Sequence, residues 1–345
     1  MFPARACVWS FVVFSLLGWA APAVTQDFIV GADVSFLRQM EGNGVVFKDG
    51  GVAAPGLRIL KNHGYNWVRL RVMVDPVKLP NTLAYTIAEA KDAKAMGFKV
   101  LLDLHYSDDW ADPQHQIVPR AWAQMSHEEL VKTVFGYTRD TVAAMRKAGV
   151  LPEMVQVGNE VSVGMIWPDG KLPDHWKEFS ELLLAGIHGV DKGRGHGKRP
   201  EIMIHIDKGG NMATTKWFLD KLAEYRVPYD VVGQSYYPWW QGSLEELRKN
   251  TEFTRATYRK DVIVVETAYD WRTGEDFKGK PVPFAQTPEG QRDFLAALNA
   301  VARESGCKGI FWWEPAAGGA IAKRTLFDDE HNALPAMGVF DRAVR

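Results

Sequence analysis

Cysteine is scarce in this sequence: 345 residues hold two, Cys7 and Cys307. That excludes a disulfide-stapled scaffold and the paired-cysteine motifs of structural zinc. An excess of either charge is also missing. With 41 Lys and Arg against 42 Asp and Glu, the formal charge is −1. Nucleic acids and anionic membranes are bound by basic surfaces, so neither is an expected partner. No G-x-G-x-x-G follows the first strand-like segment, which argues against a dinucleotide-binding open sheet. No G-x-S-x-G elbow is present, which argues against a serine nucleophile. Low-complexity linkers and long charge runs are lacking from Gln26 onward.

The single long apolar run lies at the start, from Cys7 to about Ala21. It is short for a membrane span, which needs about 20 apolar residues. Arg5 precedes it and Ala21-Pro22-Ala23 follows, the form of a secretory leader with its cleavage site. Residues 1–23 are therefore expected to be removed, giving a secreted or periplasmic protein with no membrane association and a single catalytic domain over residues 24–345. Cleavage would take Cys7 away and leave Cys307 alone, before a strand-like segment, as a small core residue.

What is present is an alternation of short apolar strands and amphipathic helices. The strands expected are Phe28–Val34, Trp67–Val72, Lys99–His105, Met154–Asn159, Glu201–Ile206, Asp230–Tyr236, Val262–Thr267 and Gly309–Trp313. Runs such as Val262-Ile263-Val264-Val265 suit strands covered on both faces. Helices are expected over Thr82–Met96, stopped by Gly97, over His127–Lys147 behind a Ser126/Glu129 capping box, and over Pro288–Ser305. Eight strands alternating with helices in one domain predict an α/β fold, a (β/α)8 TIM barrel.

Polar residues gather at one end of these strands: Asp103, His105, Asn159, Glu160, His205, Asp207, Tyr236, Tyr237, Glu266, Trp313 and Glu314. In a barrel those ends share one mouth, where active sites form. Glu160 and Glu266 end the fourth and seventh strands, and carboxylates rarely end buried apolar strands without a partner or a task. Facing each other, they make a pair for glycoside hydrolysis. A carboxyl separation of roughly 5–5.5 Å would imply retention of configuration. A rival constellation for a hydrolytic metal is His105, Asp108, His205 and Asp207. Its spacing matches no compact ligand motif and leaves Glu160 without a role, so no metal or other cofactor is expected.

From Gly31 to Pro315 the sequence resembles glycoside hydrolase family 53, the endo-β-1,4-galactanases of clan A. The resemblance rests on Gly31-Ala32-Asp33-Val34-Ser35, Val68-Arg69-Leu70-Arg71-Val72 and the long motif from Asp103-Leu104-His105 to Trp110-Ala111-Asp112-Pro113. It continues through Gly158-Asn159-Glu160, Ile202-Met203-Ile204-His205-Ile206-Asp207, Ser235-Tyr236-Tyr237-Pro238, Val265-Glu266-Thr267 and Trp313-Glu314-Pro315. It implies that Glu160 is the acid/base and Glu266 the nucleophile. Asn159 would bond the sugar 2-hydroxyl, Arg69 or Arg71 would hold the nucleophile ionised, and Tyr236 would contact it. Trp313 would lie under the sugar, and His105, Asp108, Trp110, His205 and Asp207 would line the cleft. The implied substrate is β-1,4-galactan of pectin, cut by a monomer. Another clan A glycanase such as a β-mannanase, or a non-catalytic sugar-binding barrel, is the alternative.

Two departures accompany the resemblance. Gly209-Gly210-Asn211 stands where the family carries a Trp, and Ala317 stands where Glu-Pro-Ala-Trp ends. Trp239-Trp240, in the heavy complement of 13 Trp, are the candidates to replace the lost stacking, Trp240 first. The segment from Asp270 to Thr287 leaves little room for the calcium-binding insertion of some bacterial members.

Overall fold

The computed structural model describes Met1 and residues 28–341, so the expected leader, Met1 apart, lies outside the described residues. Eight parallel strands close into a barrel. They are β1 (Ile29–Asp33), β2 (Trp67–Val72), β3 (Lys99–Leu104), β4 (Met154–Val157), β5 (Glu201–Ile206), β6 (Val231–Ser235), β7 (Asp261–Thr267) and β8 (Gly309–Trp312). Each pairs with its sequence neighbours, and β1 closes the ring on both β2 and β8. The expected TIM barrel is the fold.

Helices form where capping and periodicity dictate. Ser126 and Glu129 make a capping box at the start of the helix His127–Lys147, which satisfies two orphan N–H groups. Thr287 caps the helix Pro288–Glu304, with Pro288 in its first turn. Gly97 follows the helix Leu83–Ala95 at φ 78°, a left-handed conformation that favours glycine.

The apolar residues divide into two clusters. The larger fills the space between strands and helices. The smaller plugs the barrel itself: Ile29, Trp67, Leu101, Met154, Met203, Val231, Ile263, Val265 and Phe311. Gly31 makes room for this plug, since a Cβ there would sit 2.2 Å from the Phe311 ring. Cys307 is buried, and its thiol lies within hydrogen-bond reach of the carbonyls of Val262 and Gly309. Among the described residues no helix is long and apolar enough to cross a membrane.

Candidate active site

Above the plug, the inward positions of the strands turn polar. Arg69, fully buried on β2, is the hub. Its Nη1 donates to Glu266 Oε1 (2.6 Å) and Asp33 Oδ2 (2.9 Å), its Nη2 to Asn159 Oδ1 (2.7 Å) and Asp103 Oδ2 (2.9 Å), and its Nε to Gln156 Oε1 (3.2 Å). All five guanidinium hydrogens are thereby used. Arg71 points inward too, but its Nη2 donates to Glu314 Oε1 (3.1 Å) and its guanidinium lies 4.4 Å from the Trp110 ring centre. Of the two arginines left open by the sequence, Arg69 is the one on Glu266.

Glu160 and Glu266 converge. One carboxylate oxygen of each and a ring nitrogen of His205 lie within 4.8 Å of one another. Glu160 follows Gly158, which turns the chain at φ 81°, and itself adopts the left-handed region at φ 47°, ψ 48°. A non-glycine residue held there stores strain of order 1–3 kcal/mol, a cost seen mostly at functional sites. Burial, then the neighbouring Glu266 and Asp207 carboxylates, push the Glu160 carboxyl well above the usual range. Burial raises Glu266 as well, while Arg69 draws it back down. Of the pair, Glu160 holds the proton more firmly.

The remaining expected residues fall into two groups. Trp110 and Trp313 meet edge-on at 6.0 Å, and both line a central cavity of about 190 Å³ with Arg71, His105, Asn159, Glu160, Tyr237, Trp240, Glu266 and Arg324. Asp207 lines an adjoining cavity of about 670 Å³ with Glu160, Lys208 and Trp240. It accepts from Ser162 and pairs with Lys208. Trp240 is 59 % exposed and borders both spaces. His105 sits between Asp103 and the Ala111 N–H; burial holds its imidazole below the usual value, against the pull of Asp103. His205 bridges Asn159 and Ser235.

Two expectations are corrected. The Tyr236 hydroxyl donates to the Gly242 carbonyl (2.9 Å), and Tyr237 donates to Glu266 Oε2 instead, at 3.2 Å. Along β6 the inward positions Val231, Gly233 and Ser235 lead at period two to Tyr237, and the register shift opposite Gln234 and Ser235 leaves the extra residue, Val265, on β7. Asp108 lines neither of these two cavities. Its carboxylate accepts from the backbone of Asp75 and Arg120 and braces two loops. Asn159 has its oxygen taken by three donors, and Nδ2 donates to the Ala111 carbonyl, leaving one amide hydrogen uncommitted.

The rival metal set does not gather either. Among the described residues the triplet within reach of one ion is Glu160, His205 and Glu266. Both nitrogens of His205 in that triplet are engaged in hydrogen bonds, so we do not identify these residues as ligands.

Comparison with known proteins follows the same lines. The description of the family "Glycosyl hydrolase family 53" matches residues 29–340. The chain belongs to that family. It is 34 % identical over 333 residues to an arabinogalactan endo-β-1,4-galactanase of Thermothelomyces thermophilus, covering 90 % of this chain and 98 % of that one. An enzyme of the same name from Cellvibrio japonicus is 33 % identical over 346 residues, with 92 % of each chain covered. Among solved structures, the family 53 catalytic domain of Ignisphaera aggregans superposes with a TM-score of 0.85 at 34 % identity, over 92 % of this chain and 97 % of that one.

Family membership makes the chain a glycoside hydrolase. Gln156, Ser235 and Arg324 carry parts of this family 53 site that sequence reasoning did not assign, and Tyr237, placed at the mouth by the sequence, was given no role there. The lone polar residue in the apolar run Met154-Val155-Gln156-Val157 was the available sign of the first.

Proposed function

We propose that the protein is an endo-acting, retaining β-1,4-galactanase that cleaves galactan side chains of pectin. Glu160 acts as acid/base and Glu266 as nucleophile. The observation that carries this reading is the approach of the two carboxylates within 4.8 Å, which fits the roughly 5–5.5 Å class of retaining enzymes and not the wider inverting class. Their environments divide the labour: Arg69 and Tyr237 stabilise an ionised Glu266, whereas Glu160 is buried among acids and keeps its proton. Attack by Glu266 on the anomeric carbon breaks the glycosidic bond as Glu160 protonates the departing oxygen. Water activated by Glu160 then hydrolyses the sugar–Glu266 ester.

Trp110 and Trp313 supply the sugar platform, and Trp240 extends the aromatic surface toward the larger cavity. The chemistry uses side chains alone, so EDTA should leave activity unchanged. The protein acts as a monomer on polysaccharide, after export as a secreted or periplasmic enzyme. The test is reducing-end release from galactan, mannan, xylan and arabinogalactan side by side, with the product anomer followed by NMR. Release from galactan with the β-anomer first is expected; preference for mannan, or α-anomer first, would sink the reading.

A further inference from the structure

Ser235 closes β6 and is fully buried. Its Oγ lies 2.5 Å from Glu160 Oε1 and 2.8 Å from His205 Nε2. A hydroxyl has one hydrogen, so it serves one of these neighbours at a time. The rest of the chain has a fixed direction. Arg69 can only donate, so the Asn159 atom it meets is the oxygen. His205 Nδ1 lies 2.8 Å from that same oxygen and must carry a hydrogen. Burial, then the Arg69 charge and the neighbouring His105, keep the imidazole neutral. Nε2 is therefore a bare acceptor facing Ser235. With the serine hydrogen on His205, the short contact to Glu160 requires a proton on Oε1.

We propose that Ser235 is a positioning residue that works as a one-proton switch. Its hydroxyl donates to His205 Nε2 while Glu160 is protonated, and to Glu160 Oε1 once that proton has left. The inference rests on Glu160 being the acid/base. In the first step the Glu160 O–H bond breaks and an O–H bond forms on the leaving sugar; Ser235 keeps its own hydrogen and only rotates. In the second step water gives a proton to Glu160 and its hydroxyl to the anomeric carbon, the bond from that carbon to Glu266 breaks to free the Glu266 carboxylate, and Ser235 turns back. A hydrogen bond to a carboxylate is stronger than one to a neutral imidazole, so the switch favours proton release at the moment the acid must act.

The other charges facing Glu160 are Glu266 on β7, Asp207 beyond β5 and Asp112 in the loop after β3. The titratable groups facing His205 are Arg69 on β2 and His105 beyond β3. A Ser235 substitution alters none of them, so a moved pH profile reports the hydroxyl.

The experiment is kcat/KM against pH for Ser235→Ala on a galactan oligosaccharide. Removing a donor to the carboxylate raises its proton affinity, so the alkaline limb should move up by about one pH unit. Ser235→Thr, which keeps the hydroxyl, should return the limb to within a few tenths of the wild-type position. With an activated aryl β-galactoside, where hydrolysis of the sugar–enzyme ester limits, Ser235→Ala should lower kcat about tenfold below that limb. Nitrogen NMR of the labelled resting enzyme needs no variant and should find His205 protonated at Nδ1 and bare at Nε2. An unmoved limb in a folded Ser235→Ala, or a hydrogen on Nε2, overturns the switch. Glu160→Ala separates the two ideas: near wild-type turnover on polymer would remove the acid/base reading and the switch together. A Glu160→Ala defect confined to poor leaving groups, with an unmoved Ser235→Ala limb, removes the switch alone.

Discussion

The barrel interior has two layers, one residue pair apart along the strands, that are held by opposite physics. In the lower layer Trp67, Leu101, Met154 and Met203 form an apolar plug. Two residues further along the same strands stand Arg69, Asp103, Gln156 and His205, equally buried and all polar. The plug is stabilised by removing apolar area from water, roughly 25 cal/mol per Å², and tolerates some imprecision. The polar layer has no such tolerance. Each charge there has lost its hydration, and its stability depends on every hydrogen of Arg69 finding an acceptor. The lower layer is a floor that holds the upper one to its geometry.

Substitutions should tell the layers apart. The largest effect is expected for Glu266→Ala, with polymer turnover abolished and the fold intact. Glu160→Ala should lose 10²–10⁴-fold on galactan but far less on aryl substrates that need no protonation. Equal losses on both substrates would contradict the division of roles. Arg69→Met should cost about 3–5 kcal/mol, because Asp33, Asp103 and Glu266 are left buried without their cation, and should also remove activity. Leu101→Ala in the floor should cost about 2–5 kcal/mol, yet leave turnover per folded molecule nearly unchanged. Denaturant melts beside active-site titration check both; a floor variant that loses turnover without losing stability would break the comparison.

Smaller effects sharpen it at the rim. Trp240→Ala should raise KM on short galactan oligomers about fivefold, as loss of about 1 kcal/mol of stacking implies, with little change in melting temperature. Trp239, 4 % exposed beside it, should behave the other way round. The smallest effect concerns His127, which reaches Asp169 at 2.8 Å and Glu181 at 2.6 Å. Against the opposing effect of burial, these carboxylates raise its pKa above 6.5. The stabilisation is therefore complete below pH 6.5 and fades as pH rises through the folded value. His127→Gln should lower the melting temperature more at pH 5.5 than at pH 8.5, with activity unaffected.

The fold was legible because strands covered on both faces read as unbroken apolar runs, and the helix starts carry their caps in sequence. Strand ends were less so. Asn159 and Glu160 were expected at the end of β4, but Gly158 leaves the strand before them. Period two places Arg69 and Arg71 both inward, and only their height in the barrel decides which meets Glu266. The Tyr236–Tyr237 exchange has another origin: alternation from Val231 through Ser235 turns Tyr237 inward, whereas the resemblance, not the period, pointed to Tyr236. Asp108 sits in a motif of the cleft yet serves the loops, since a motif fixes residues and not which atoms they face. Gly210 explains itself only in three dimensions, where a Cβ would lie 1.7 Å from the Gln241 carbonyl oxygen. The two loops are too close there for the aromatic ring the family carries nearby to stand at that position.

The backbone at Glu160 has a practical consequence. An asparagine is at ease at φ 47° where a glutamate is not, so Glu160→Asn should melt higher than wild type while being unable to protonate a leaving group. The same change would make a durable sugar trap, suited to holding an uncut galactan chain in crystals or on a column. A melting temperature at or below wild type would mean that the surroundings, not the side chain, bear the strain.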